Sequence, residues 1–469
     1  MTPQVAVYVP DPGKLAKQSG EFKDAATLEG RKNLGLAIIK DTLERAGIPV
    51  GYAGAATVHR YRVILHTITA QVDWWPWIAE RASWPRHARP FTILGGAGVL
   101  NVRPFLETAD AFVLGRGEHV IVDLVRGALD GAPPPLPGVI YPDRFAPTDR
   151  YTINQTAAPY PHTVALHGAK HQREDAIGCT KRCLFCAVTW HRQRSGQDAY
   201  AMDETASTEQ GWEATILRAI DATDDQWRRI RVVGLDGTSA RLRRLTNKRI
   251  DRPLWQRFLR LAAAHERAYL RIYNIVGIPT EGPADFAELL ADLRAVDASL
   301  PAGPTLFLTF TNTPIKPTPA TPSANWPYPQ VPGTRYVDHQ NARLSKHRFL
   351  VGHRIHATHH LFMESPATVA LDALTTRGTE EHAAIFRRLA LTKRFWGLDA
   401  GTRLRTIRKH VDLDALLGPC KWEDLPTAYL ETRFPSATLS KLSAHYLRKY
   451  GGVDDVCDLR MDPEWGVWR

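Results

Sequence analysis

Short apolar runs alternate with helically spaced segments through the first third of the chain. Val5-Ala6-Val7-Tyr8-Val9 is a β-type run, and residues 33–47 carry apolar side chains at helical spacing up to a stop at Gly47. Further β-type runs lie at 61–68, at 91–98, where the strand enters Gly95, Gly96 and Gly98, and at 111–118, which ends in Gly115-Arg116-Gly117-Glu118. Helical spacing returns from His119 to Leu129. Strands alternating with helices predict an α/β fold. Residues 1–150 are expected to form a Rossmann-like (flavodoxin-like) doubly wound sheet, with its ligand beyond the carboxyl ends of the strands.

Residues 143–161 are rich in proline, threonine and tyrosine and read as a linker. A second domain over 160–375 then begins with Thr163-Val164-Ala165-Leu166. Its β-type runs at 230–233, 269–276 and 305–310 each enter a polar, glycine or proline loop. Between Cys186 and Ile230 only Trp212 to Ile220 is patterned, and its spacing is helix-like. The remainder, 376–469, is basic and helix-patterned, most clearly at Glu380–Thr392 and Ser440–Lys449. It is expected to be a helical cap on the second domain.

A chain of 469 residues is long enough for two or three cores. Its five cysteines, three of them within eight residues, do not form a secreted disulfide framework. The N-terminus lacks a basic start followed by an apolar run, and no apolar stretch is long enough to span a bilayer. The expectation is a soluble, cytoplasmic protein with no membrane partner. A net charge of +11 admits an acidic partner, nucleic acid included, although a small molecule or peptide is the leading substrate class.

The chemistry is concentrated in Ile177-Gly178-Cys179-Thr180-Lys181-Arg182-Cys183-Leu184-Phe185-Cys186. Thiolates at CxxxCxxC spacing converge on one metal centre, and soft sulfur donors select zinc, copper(I) or iron-sulfur clusters. Structural zinc takes four ligands, and no second knuckle lies near this triplet. Three ligands describe an open site. Cys420 and Cys457 are isolated and read as structural thiols.

This triplet resembles the cluster loop of the radical S-adenosylmethionine (SAM) enzymes, with Phe185 in the aromatic slot before the third cysteine and His191-Arg192-Gln193-Arg194-Ser195 similar to a stretch that follows it. The resemblance implies a 4Fe-4S cluster on Cys179, Cys183 and Cys186, with SAM chelating the remaining iron. It also implies a partial (β/α) barrel. Phe185 would then contact the adenine. The strand end at Gly234-Leu235-Asp236-Gly237-Thr238-Ser239 and the following stretch to Lys248 resemble the family's ribose and methionyl subsite, with Asp236, Ser239 and Asn247 as candidates. The alternative for each is a loop residue that satisfies backbone groups. Gly277-Ile278-Pro279-Thr280-Glu281 is similar to the family's Gly-Leu-Pro-Gly-Glu turn, which gives Gly277 and Pro279 as adenine-side candidates. Thr280 replaces a glycine there, so the turn is expected to take a conformation open to a β-branched residue.

The first domain, with Leu94-Gly95-Gly96, Gly115-Arg116-Gly117-Glu118 and Pro137-Gly138-Val139, resembles the cobalamin-binding domain that precedes many radical SAM domains. Gly95, Gly96, Gly117 and Glu118 would form the cofactor cradle. The Asp-x-His-x-x-Gly signature that supplies an axial histidine in other cobalamin domains is absent, so any bound cobalamin is expected to lack that ligand. A domain that keeps the fold and has lost the cofactor is the alternative. His66, Trp74, Trp75 and Trp77 either wall a corrin face or pack on the next domain. Two further stretches are similar to segments of the same relatives. Thr311 to Pro322 is either a wall over the barrel mouth or a rigid linker, and Ala373 to Gly378 resembles a serine-arginine-glycine stretch.

The implied activity is reductive cleavage of SAM, fed by a donor such as flavodoxin or ferredoxin, with cobalamin-dependent methyl transfer to an unactivated carbon. The alternative is a cobalamin-independent isomerase, rearrangement enzyme or nucleobase modifier with a degenerate N-terminal domain. A non-enzymatic cluster-binding protein would leave the glycine and proline turns unexplained. No motif marks a catalytic side chain.

Overall fold

The computed structural model describes residues 3–8, 34–84, 89–156, 158–165, 174, 176–179, 181–191, 195–196, 212–266, 269–329, 350–361, 365–462 and 467–468. Val9, Leu166, Thr180 and Arg192 to Arg194, which belong to stretches singled out above, lie outside them.

Alternation with period two sends successive side chains to opposite faces, and this builds the first sheet. Its strands are β1 Val5–Tyr8, β2 Val50–Ala53, β3 Val63–Thr67, β4 Phe91–Gly95, β5 Ala111–Val113 and β6 Val139–Ile140, in the order β2-β1-β3-β4-β5-β6. All neighbours are parallel except β6, which runs antiparallel to β5. That is the flavodoxin strand order with one antiparallel edge. Val5, Val7, Leu65, Ile93 and Val113 pack beneath α1 (Leu34–Arg45) and α3 (Ile121–Asp130). Ala6, Tyr8, Ile64, Leu94 and Phe112 face α2 (Trp74–Ala82). The sequence pattern does not mark β2 as a strand, because Val50-Gly51-Tyr52-Ala53 is short and broken by glycine.

After the cysteine loop come the single turn α4 (Ala187–Trp190) and a second sheet. Its strands β7 Trp212–Thr215, β8 Ile230–Gly234, β9 Tyr269–Val276, β10 Leu306–Pro314, β11 Leu350–Val351 and β12 Ile355–Leu361 are ordered β7-β8-β9-β10-β12-β11. Every pair is parallel except β11 with β12. The helix-like reading of Trp212 to Ile220 is corrected: Trp212 to Thr215 pair with β8, and only Ile216–Ala219 (α5) is helical. Parallel pairing overrides spacing in so short a stretch. Helices α6 (Ala240–Leu245), α7 (Arg252–Ala264) and α8 (Pro283–Ser299) fill the connections. On one face, Val233, Ile272, Leu308 and Phe310 join Trp255 and Phe258 of α7 and Leu289 of α8 in a core. On the other, β9 leaves Tyr269 and Arg271 exposed.

The C-terminal helices are α9 (Pro366–Arg377), α10 (Ala383–Leu391), α11 (Ala400–Arg408), α12 (Leu413–Leu417) and α13 (Ser436–Tyr446). The expectation of a cap on the second domain holds for only part of them. Ala370, Leu371 and Leu374 of α9 and Phe386 of α10 bury themselves in the core of the first sheet's α2 face. Trp75 stacks on Phe386 at 4.6 Å, and Trp74 on Phe105 at 3.9 Å. The core of the second region instead takes α13 and the turn after it, where Leu439 and Leu447 pack with Leu242, Leu245 and Ile278. Large aromatic surface on α2 draws the intervening helices to the first sheet. Arg377, in the stretch compared with a serine-arginine-glycine motif, is buried and donates to the carbonyls of Leu416, Gly418 and Trp326. It staples α9 to α12 and to the loop after β10. No helix among the described residues is long and apolar enough to cross a membrane.

Candidate functional site

Cys179 and Cys183 are buried, Cys186 is half-buried, and all three are free thiols. The loop is held from outside by backbone. Leu184 N–H donates to Thr246 O at 3.0 Å, Ser323 N–H donates to Leu184 O at 3.2 Å, and Trp190 Nε1–H donates to Cys183 O at 2.8 Å. Burial pushes the Cys183 thiol up to about 12; Lys248 pulls it back, while Asp236, Cys186 and Cys179 add to the rise. Such a thiol is not a free nucleophile at neutral pH and loses its proton when a cation takes its place. Lys248 forms an ion pair with Asp236. Burial works against its charge, yet Asp236 and then Cys183 raise it above its ordinary value. The donor set therefore suits a thiophilic metal centre in kind: three soft sulfurs that feel one another's charge, no disulfide, and a fixed cation beside them. Among the described residues no three Cys, His, Asp or Glu side chains already stand where they could hold a metal ion.

The ribose-side candidates fare unequally. Asp236, at φ 55°, is engaged by Lys248 beside the thiols. Ser239 caps α6 by accepting from Leu242 N–H and donates to Asp285 at 2.5 Å, 1% exposed. Asn247 donates to Arg182 O at 2.8 Å and accepts from Tyr446 at 2.9 Å, which ties the cysteine loop to α13. The hydroxyl of Ser239 is thus used as both donor and acceptor within the fold, and the amide of Asn247 gives one donor and one acceptor to it.

Gly277 and Pro279 form a turn closed by Glu281, which is fully buried and accepts from Gly277 N–H at 2.6 Å and from Thr238 at 3.1 Å. A Cβ on Gly277, at φ 73°, would stand 2.6 Å from Pro329. The expectation for Thr280 is corrected: it takes φ 68°, the left-handed region a glycine would occupy. Arg241 holds it there, donating to Thr280 Oγ1 and to Thr280 O, both at 2.8 Å, while also bonding Asp285 at 2.6 Å. Contacts from outside the turn over-determine a strained backbone. Phe185 is half-buried and packs with the core that includes Ile278 and Trp190.

Gly95, Gly96, Gly117 and Glu118 line one cavity of about 440 Å³ at the carboxyl edge of the first sheet. Much of its wall is apolar, with Leu36, Ile38, Leu65, Ile93 and Ile121; His66, Thr67, Arg116 and Asn154 supply polar groups, and Ala187 and His191, which follow the cysteine loop, complete it. The glycines are not equivalent. Gly96 has φ 105°, and a Cβ there would fall 2.4 Å from Thr67 Oγ1 and 2.6 Å from Ile68 O. The nearest atom to a Cβ on Gly95 is 3.8 Å away, so Gly95 is open to a side chain.

Arg116, which was not among the sequence candidates, bonds Glu118 and donates to Glu174 at 2.5 Å. Burial pulls it down, but these carboxylates hold it above its ordinary value. It fastens the β5 turn to the segment ahead of the cysteines. His191 donates from Nε2 to Pro319 O at 2.8 Å. The proline segment therefore braces the cysteine loop. Of the aromatic group, His66 lines the cavity, whereas Trp74 and Trp75 pack against Phe105 and α10.

No family model matches the chain, and no curated protein matches it. Among solved structures, the cobalamin-dependent S-adenosylmethionine radical enzyme OxsB with aqua-cobalamin bound aligns at 13% identity and TM-score 0.38, over 63% of this chain and 53% of that one. Its form with aqua-cobalamin and S-adenosylmethionine gives 13% and 0.39, over 63% and 52%. The apo, SeMet-labeled form gives 11% and 0.28, over 100% and 64%. The chain thus spans about half the length of the first two. At these scores the likeness carries no weight for function.

Proposed function

We propose that this chain is a radical SAM enzyme that binds a 4Fe-4S cluster on Cys179, Cys183 and Cys186 and a cobalamin on the first sheet, and that it methylates an unactivated carbon of a small molecule or peptide. The observation that supports this best is the shared cavity. The first sheet's glycine turns form one wall, and Ala187 and His191, just after Cys186, contribute to the other. Two cofactors that must exchange a group would meet at such a boundary.

The sequential second sheet, in this reading, is the partial barrel, with its site at the carboxyl ends of the strands. When bound, the reduced cluster would cleave SAM to a 5'-deoxyadenosyl radical and cobalamin would carry the methyl group. The chain's own residues bind and exclude. The cysteines supply thiolates, and Lys248 offsets their negative charge. The apolar walls of Ile38, Leu65, Ile93 and Ile121 suit a nucleotide arm, which a cavity of about 440 Å³ accepts while a whole corrin would extend past its mouth. The positive net charge suits docking of an acidic flavodoxin or ferredoxin. Free thiols fit a reducing cytoplasm.

Anaerobic reconstitution with iron, sulfide and hydroxocobalamin tests the proposal. The expected result is a four-iron absorbance band, stoichiometric cobalamin, and two products from SAM, S-adenosylhomocysteine and 5'-deoxyadenosine. Production of 5'-deoxyadenosine without any cobalamin uptake would replace the methyltransferase by the isomerase or base-modifier reading. Salt-sensitive retention of a transfer RNA would move the substrate class to nucleic acid.

A further inference from the structure

Resting on the corrin reading above, we propose that His66 supplies an axial nitrogen ligand to the metal of a corrin bound in the cavity. His66 lies near the carboxyl end of β3, beside β1, where the strand order β2-β1-β3 reverses. That reversal opens the crevice in which doubly wound sheets bind their ligands. The residue lines the cavity and lies outside any Asp-x-His-x-x-Gly signature.

The surroundings fix which nitrogen is available. Nδ1 stands 3.4 Å from Tyr8 O. A carbonyl oxygen only accepts, so Nδ1 carries the proton and Nε2 the lone pair. Nε2 has no hydrogen-bond partner among the described residues. Nδ1–H to a backbone carbonyl is a common way for proteins to orient a metal-binding imidazole.

The ring is also held in plane. It stacks on Trp77 at 4.6 Å and 18°, and Tyr8 meets it edge-on at 5.7 Å and 85°. Tyr8 is fixed in turn, donating to Glu80 at 2.5 Å, one turn along α2 from Trp77. Burial lowers the imidazole to about 4, with the Tyr8 carbonyl opposing, so the lone pair is present at neutral pH. His66 is half-buried, and its Nε2 is not a nitrogen stranded in the core but one left accessible. Ligation forms one metal–nitrogen bond from the Nε2 pair and releases an axial water, with no electron transferred.

The test uses the full chain loaded with hydroxocobalamin and reduced to the cobalt(II) state. Electron paramagnetic resonance should show a triplet from one axial nitrogen, which becomes a doublet when the protein is labelled with nitrogen-15 histidine. The labelling separates His66 from the benzimidazole nitrogen of cobalamin itself. His66→Phe, which keeps a ring against Trp77, should retain cobalamin and lose the label-sensitive splitting. His66→Gly with added imidazole should regain a splitting that follows the label on the imidazole. Cobalamin uptake with no label-sensitive splitting overturns the ligand assignment alone. No uptake at all overturns the corrin reading and the assignment with it.

Discussion

The two parallel sheets differ in one property that governs where each can bind. In the first, the order β2-β1-β3-β4-β5 reverses direction beside β1, and helices cover both faces. The cavity lies at the carboxyl edge around that reversal, and backbone and strand-end residues line it. In the second, strands β7, β8, β9, β10 and β12 follow one another without reversal, and helices α7 and α8 join one face in its core. Among the described residues its strand order contains no reversal of that kind. Its chemistry must come from loops beyond the strands, and those loops need bracing: by Arg241 at Thr280, by Asn247 at Arg182, by His191 at Pro319. A reversing sheet makes a pocket from its topology, whereas a sequential one depends on side-chain ties.

If the regions serve different cofactors, they should fail separately, and the largest effect tests this. Cys183→Ala should remove the cluster absorbance and SAM cleavage entirely while cobalamin uptake persists. Full iron content in that variant ends the cluster assignment. Conversely, Gly95→Leu should block cobalamin and leave iron content unchanged, because a side chain there meets open space.

Joining the two regions is the task assigned to Arg377. Arg377→Met strands carbonyls of Leu416, Gly418 and Trp326 without a donor and should cost about 3 kcal/mol in a urea titration. A loss under about 1 kcal/mol would show that the staple is dispensable.

The first region should also be the acid-sensitive one in the apoprotein. His66 has a folded value of about 4, below its ordinary 6.5, so the unfolded chain binds a proton in that window that the folded chain refuses. Its contribution is complete above pH 6.5 and is lost as pH falls toward 4, worth at most about 3 kcal/mol. His66→Phe should flatten that limb of the stability profile.

Smaller effects separate conformation from space. Gly96→Ala should destabilise by about 2 kcal/mol, since its Cβ would strike Thr67 and Ile68, whereas Gly95→Ala should lie within about 0.5 kcal/mol of the parent. At Thr280, relief of the left-handed backbone makes Thr280→Gly neutral or stabilising by up to about 1 kcal/mol. Arg241→Ala should then cost less in that background than alone, a coupling that a double-mutant cycle reads directly.

Much of the first sheet was legible because its strands are β-branched runs ending in glycine, and local pattern carries that signal. The convergence of Gly95, Gly96, Gly117 and Glu118 on one cavity agrees with their strand-end positions. The strand Trp212–Thr215 was not legible, since four residues cannot declare a period and only pairing with β8 decides them. For Ser239 and Asn247 the sequence left a ligand role and a loop role equally open, because polar residues at strand ends serve ligands and caps alike. Their partners, Asp285 and Tyr446, are 46 and 199 residues away in the chain.

By itself the sequence determined the cysteine spacing, the alternation of strands and helices in the first region, and the glycines at their ends, all properties of residues near one another in the chain. Tertiary structure alone decided that α9 and α10 cover the first sheet, that Thr280 keeps a glycine's conformation under Arg241, and that the turn just after the cysteine loop shares a cavity with the glycine turns. Each of these rests on contacts between distant segments, where burial of aromatic surface and satisfaction of polar groups outweigh local preference.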